Sequence, residues 1–319
     1  MSRRPASSST DRRSGDIDPM RISLKIDVDT LRGTLEGVPP LVNLLQRHAV
    51  DATFLFSLGP DHTGRALRRI FRPGFLSKVR RTSVASNYGL KTLMYGVLLP
   101  GPDIGRRGAT VMQAVRRAGF EVGIHTWDHV RWQDFVTRRD AAWTEREMER
   151  ARAAFTRIFD EEPLCFGAAG WQINAHALAL QDRWGLVHAS DTRGRHPFLP
   201  SLDGRDFQTP QLPTTLPTLD ELVGREGITA DNAHEAVLDL SARADTPETG
   251  HVFTLHAELE GMAYIGFLDR LLTTWKERGC RIGSLGTLAR SLDRNALPRH
   301  PIVFGEVEGR SGVLALQGP

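Results

Sequence analysis

The chain has 319 residues, 40% of them hydrophobic and 25% charged, with a formal net charge of +3. That length holds one large α/β domain or two smaller ones, and either buries a core without disulfide or metal staples. So small a net charge argues against a globally basic nucleic-acid binder, and no run of about 18 apolar residues is present to form a membrane-spanning helix.

The N-terminal stretch MSRRPASSSTDRRSGD carries arginine pairs, but no apolar stretch follows them before Asp27. It therefore reads as neither a secretory nor a twin-arginine signal, and residues 1–20 are expected to form a disordered leader. Ile22 to Asp29 is a β-type run ending in acids. A helix is predicted from about Gly37 to His48, with Leu41, Leu44 and Leu45 at helical spacing. A second strand follows from Ala52 to Leu58, closed by Gly59-Pro60.

From His62 to Pro102 there is no acid, while Arg65, Arg68, Arg69, Arg72, Lys78, Arg80, Arg81 and Lys91 alternate with apolar residues. A basic and apolar insertion over about residues 62–108 suits an anionic membrane surface; it would equally suit an insertion packed on its own domain. A helix around Thr110–Ala118 leads into a third strand ending at His125. Helices are then expected over 144–159, 174–184, 232–243 and 266–278, with strands over 164–167, 186–189 and 251–256.

A Pro/Thr-rich irregular stretch covers Gln208–Thr218, and the chain turns irregular again after about Asp293. Strand then helix, repeated, predicts a parallel α/β fold, here a distorted (β/α) barrel. Residues 21–293 would be its single catalytic domain and 294–319 an irregular tail. Cys165 and Cys280 lie far apart with no CxxC pairing, which suits a reducing compartment.

In such barrels working residues collect at the C-terminal ends of strands. Asp27, Asp29, His125, the turns after Phe166 and Ala189, and His256 all fall there. Asp27 and Asp29 are two apart on a strand, so both face one side, and a divalent cation relieves their repulsion. A solvated strand end would carry the same pair. His125 and His129 are four apart and would share one face of a helix starting there. With 11 histidines in the chain, chance supplies roughly 0.4 such pairs, so this spacing alone decides nothing. Two imidazoles and a carboxylate form a common catalytic zinc set. His256, at a strand end, could protonate a leaving amine or simply bond to backbone.

IDVDT, HTWDH, FGAAGWQ, ASDTRG and TLHAELEG occur in the order of the five motifs of NodB-type polysaccharide deacetylases, a family this chain resembles over about residues 21–290. The match is closest to the branch that deformylates an undecaprenyl-phosphate-linked 4-formamido-arabinose, through KIDVDTLRGTLEGVP, FLFSLGPD, the basic insertion, GIHTWDHVRWQ, AAGWQ, QLPTTLPTLDE and LHAELEG.

The resemblance implies a seven-stranded NodB-type barrel and a hydrolase cleaving a linear amide C–N bond. It implies one divalent metal on Asp29, His125 and His129, with zinc the default and manganese, cobalt or nickel able to fill the same site. Asp27 would be the general base and His256 the general acid. Ala169, Gly170, Trp171, Asp191, Arg193 and Glu258 are candidate substrate or oxyanion contacts, and Arg68, Arg69, Arg80 and Arg81 candidate membrane contacts. The substrate would be the formamido-sugar lipid, met at the cytoplasmic face of the bacterial inner membrane, with no nucleic-acid partner. Hydrolysis would serve lipid A modification and resistance to cationic antimicrobial peptides.

Two features depart from many members: Val28 separates the acids, and the third motif lacks the arginine that braces the base, for which Arg193 is a substitute candidate. Deacetylation of another N-acylated or peptidoglycan-type sugar is the sibling activity. A metal-free relative or a carbohydrate-binding protein fits this residue set less well.

Overall fold

The computed structural model describes residues 19–66, 92, 94–225, 227–243, 246–310 and 312–319. Residues 1–18 of the expected leader, and the part of the insertion holding Arg68, Arg69, Arg80 and Arg81, lie outside the described residues.

Seven parallel strands curl into a distorted barrel: β1 (Arg21–Val28), β2 (Thr53–Ser57), β3 (Glu121–Thr126), β4 (Cys165–Phe166), β5 (His188–Ala189), then, after β6 (Leu199–Leu202) and β7 (Arg205–Asp206), β8 (His251–His256) and β9 (Arg281–Ser284). The order across the sheet is β5-β4-β3-β2-β1-β8. β1 is shared unevenly. One edge pairs with β8 along Ile22–Asp27; the other pairs with β9 along Arg21–Leu24 and with β2 along Lys25–Val28.

Between β5 and β8 the wall is completed by the Pro/Thr-rich stretch. Ala189 N–H donates to Pro210 O at 2.8 Å, Leu212 N–H to Ala189 O at 2.8 Å, and Thr215 N–H to Val252 O at 3.1 Å. Pro210, Pro213 and Pro217 cannot donate to a ladder, which explains why this stave is not a regular strand.

Side-chain alternation sorts the barrel into two environments. Ile22, Leu24, Ile26, Val28, Phe54, Phe56, Phe253 and Leu255 point outward and pack in the main core beneath helices such as Val38–His48 and Ile265–Glu277. The intervening residues Lys25, Asp27, Thr53, Ser57, Thr254 and His256 are buried polar groups turned to the lumen. A small apolar plug of Leu212, Val252, Leu285 and Leu288 fills one end.

Several expectations shift. The helix predicted from Thr110 starts at Ile104, because Asp103 caps it by accepting from Arg106 N–H. The helix predicted from Gly37 is preceded by a π-helical turn, Gly33–Gly37. The tail is not irregular: β10 (Arg299–Glu306) and β11 (Val313–Gln317) pair antiparallel, and β10 runs parallel to β6, making a second sheet ordered β11-β10-β6-β7. Pro301 sits near the start of β10, where a missing N–H disturbs a ladder least. The hairpin is tied to the barrel by Arg193 N–H donating to Ala315 O and Gln317 N–H donating to Arg193 O. Among the described residues, no helix is long and apolar enough to cross a membrane.

Candidate active site at the C-terminal mouth of the barrel

The ends of β1, β3 and β8 deliver the titratable residues to one mouth. Asp27 and Asp29 leave β1, His125 lies on β3 and His256 closes β8, where it is the register partner of Asp27. His129 arrives differently from expectation. It opens the helix His129–Phe135, whereas His125 is still in a strand, so the pair does not share a helical face. A two-residue turn, Trp127–Asp128, whose Asp128 accepts from Arg131 N–H, folds the second imidazole back to 5.3 Å from the first, centroid to centroid.

Donor atoms of Asp29, His125 and His129 all lie within 4.8 Å of one another. Asp29 Oδ1 is 3.3 Å from the Nε2 atoms of both His125 and His129. His125 Nδ1 lies 2.6 Å from Gly167 O and so carries the proton. In the neutral ring Nε2 is then bare and faces a buried carboxylate oxygen that receives no hydrogen bond. Lone pairs turned on one another in this way fit a bound cation, and the Gly167 carbonyl is the outer partner that orients a ligating histidine. Burial works to raise the Asp29 pKa, but His129 and His125 outweigh it and hold the carboxyl well below its usual range. For His125, burial opposes protonation, yet Asp27 and Asp29 together raise its pKa.

A second buried group, Glu121, Cys165 and His188, fits a metal poorly. The Glu121 carboxylate already accepts from the Thr53 hydroxyl and Gly286 N–H and meets His188 Nε2. Burial pushes the Cys165 thiol up, so it stays protonated.

The remaining expected residues fall into walls and braces. Glu258 is buried, and its Oε1 accepts from Asp29 N–H, Thr30 N–H and the Thr30 hydroxyl. It shapes the turn carrying Asp29; Gly33 is required beside it, since a Cβ there would lie 2.0 Å from Oε1. Burial and the neighbouring Asp29 charge raise its pKa well above the ordinary value.

Asp191 is also buried. It accepts from Ala168 N–H and from the side-chain amides of Gln181 and Gln211, joining the turn after β4 to the proline stave. Glu260 accepts from His256 N–H at 2.8 Å, and burial pushes its pKa to about 7 against the lowering influence of His256.

Ala169, Gly170 and Trp171 form a tight turn in which Gly170 (φ 61°) and Trp171 (φ 53°) are both left-handed. A tryptophan held so is strained. Its ring is fixed in place: Nε1 donates to Thr214 Oγ1, and Arg193, Arg310 and Lys25 lie 5.0, 4.8 and 5.2 Å from the ring. Arg193 is not a brace for Asp27. Its guanidinium is committed to Glu221 and to the carbonyls of Thr214 and Leu216.

Lys25 was not singled out in the sequence. Fully buried, it donates to Ser190 O at 2.9 Å and lies 3.4 Å from Asp27 Oδ2. Its signal was the alternation that places Lys25 on the same face of β1 as Asp27.

Residues 21–189 match the polysaccharide deacetylase family. A Shewanella sediminis protein named "Probable 4-deoxy-4-formamido-L-arabinose-phosphoundecaprenol deformylase" is 36% identical over 93% of this chain and 94% of its own. A protein of the same name from Wigglesworthia glossinidia brevipalpis is 30% identical over 89% of this chain and 98% of its own. Among solved structures, a Mycobacterium smegmatis protein described as a polysaccharide deacetylase superposes with a TM-score of 0.60 at 15% identity, covering 91% of this chain and 96% of that one. A CE4 family pseudoenzyme from Bacillus anthracis gives 0.52 at 14% identity, over 89% and 70% of the two chains. At such identities the structural likeness speaks for the fold alone.

Proposed function

The chain belongs to the polysaccharide deacetylase family of amide hydrolases, and from that premise we propose that it deformylates an undecaprenyl-phosphate-linked 4-formamido-arabinose, releasing formate and the 4-amino sugar lipid. Support comes from the two curated relatives of that name, which match nearly the whole chain. The observation that carries the chemistry is the gathering of Asp27, Asp29, His125, His129 and His256 at one mouth.

Asp29, His125 and His129 would hold one divalent cation, which when bound supplies Lewis-acid activation of water and of the formamide carbonyl. Zinc suits the two-imidazole, one-carboxylate set, and manganese, cobalt or nickel are the alternatives. Asp27 would take the proton from the attacking water through Oδ1, the oxygen that receives no hydrogen bond. His256 would return a proton to the departing sugar nitrogen. Trp171 N–H is committed to Ala168 O, which leaves the Ala169 and Gly170 amides as the oxyanion donors of the turn. Asp191, Arg193 and Glu258 would act on the substrate only through the walls they hold.

A freed amine is protonated at neutral pH, so the product lipid gains a positive charge. That charge would weaken attraction for cationic peptides, and in this reading the reaction serves lipid A modification and antimicrobial-peptide resistance. We assign catalysis to residues 21–293, working as a peripheral protein at the cytoplasmic membrane face. The basic insertion would meet anionic lipid there.

Metal analysis combined with product assay on a prenyl-phosphate formamido-sugar tests the main reading. The expected result is metal near one equivalent and formate release that chelation stops. Faster acetate release from N-acetylated glycans would instead establish the sibling deacetylase. Neutralising Arg68, Arg69, Arg80 and Arg81 together should release the protein from anionic liposomes; unchanged co-sedimentation would refute the membrane role.

A further inference from the structure

We propose that Lys25 is a positioning residue that pins the Asp27 carboxylate from behind, so that one oxygen alone is presented to the reacting water. The inference rests on the reading of Asp27 as general base and adds the device that orients it.

β1 sends Lys25 and Asp27 into the lumen on the same side, two residues apart. The Lys25 side chain has no solvent exposure, and its ammonium meets three partners: Ser190 O at 2.9 Å, Asp27 Oδ2 at 3.4 Å and the Trp171 ring at 5.2 Å from its centroid. An ammonium has three N–H donors and no acceptor. A carbonyl, a carboxylate and an aromatic face account for all three directions.

The route of the side chain is kept clear. A Cβ on Gly167 would lie 3.3 Å from Lys25 Cε and 3.4 Å from Ser190 O, besides striking Leu55. Thus the glycine that orients His125 through its carbonyl also makes room for the lysine.

The two oxygens of Asp27 are treated unequally. Oδ2 faces Lys25, whereas Oδ1 receives no hydrogen bond and lies 3.8 Å from the ring of His125 at Nδ1. One oxygen is anchored and the other is left for chemistry. Removing the lysine alone leaves the Asp27 carboxylate buried without its cation, a loss of stability that metal content and KM register separately from kcat. Arg193 and Arg310, the other cations at the Trp171 ring, are occupied, the first by Glu221 and two carbonyls and the second by Glu221, Asp220 and Thr218, and do not take over.

The test is a double-mutant cycle on the metal-loaded full chain, with K25M, D27N, K25M/D27N and K25Q assayed for metal content, KM and kcat. K25M should keep its metal and a KM within about threefold, because ground-state binding is untouched, while kcat falls about 10²-fold from misorientation of the base. In the D27N background K25M should cost nothing further, since a residue acting only through Asp27 has nothing left to orient.

A kcat for K25M within about threefold of wild type, with D27N inactive, would overturn the positioning role and leave the base assignment standing. Independent, multiplying losses in the double variant would also overturn it. Near-normal turnover by D27N would remove both readings. Should K25M not fold, K25Q decides: it keeps an N–H donor without the charge, and normal kcat there counts against the proposal.

Discussion

Replacing Glu260 by glutamine should flatten the dependence of stability on pH. Glu260 has no solvent exposure, accepts from His256 N–H through Oε2, and leaves Oε1 without a partner. Burial raises its pKa from 4.5 to about 7. The folded state therefore holds a proton that the unfolded state gives up first. The stability this proton confers is fully present below about pH 4.5 and is lost as pH rises through about 7.

A tenfold change in proton affinity is worth about 1.4 kcal/mol, so the rise from 4.5 to about 7 amounts to on the order of 3 kcal/mol. Glu260→Gln keeps the acceptor oxygen and removes the titration. Its stability relative to wild type should grow by about that amount between roughly pH 4.5 and 8. Urea unfolding of both proteins at half-unit pH intervals reads the difference directly, because titrations of groups that do not interact with Glu260 cancel in it. Parallel curves across that range would show that Glu260 is ionised in the folded protein and that the burial argument is mistaken.

Three further outcomes can be checked on purified protein. His125→Ala should lose bound metal, read by elemental analysis after dialysis; retained stoichiometry would remove His125 from the ligand set. His256→Ala should keep its metal while kcat falls by about 10²–10⁴, the usual range for a general acid; near-normal turnover refutes that role. Arg310→Ala should destabilise the fold by about 2–3 kcal/mol, because it strips charge-assisted bonds from buried Glu221 and from Asp220 and Thr218. A shift below about 0.5 kcal/mol would mean that Arg193 alone suffices for Glu221.

The strand–helix alternation and the acids and histidines at strand ends were legible because both follow from period-2 and period-3.6 patterning, which is local. β8 falls on the expected residues, His251–His256. His129 reaches the neighbourhood of Asp29 and His125 by a different geometry from the one expected, since spacing of four does not distinguish a helix from a strand followed by a capped turn.

Lys25 was invisible as a site residue because a lysine in a strand ordinarily reads as exposed. Only its shared parity with Asp27 betrays it. Glu258 was read as a substrate contact from its motif, but side-chain direction within a turn is not set by periodicity. The pairing of the C-terminal hairpin with β6 was missed because β6 lies about a hundred residues away and no local pattern announces such a pairing.

The division between an apolar outer wall and a polar lumen has a consequence for how such a protein can change over time. Most apolar burial sits in the ring between strands and helices, apart from the polar lumen that carries the chemistry. Lineages on this scaffold are thereby free to gain, tune or abandon catalysis without rebuilding it, and a catalytically silent cousin need look no different from outside.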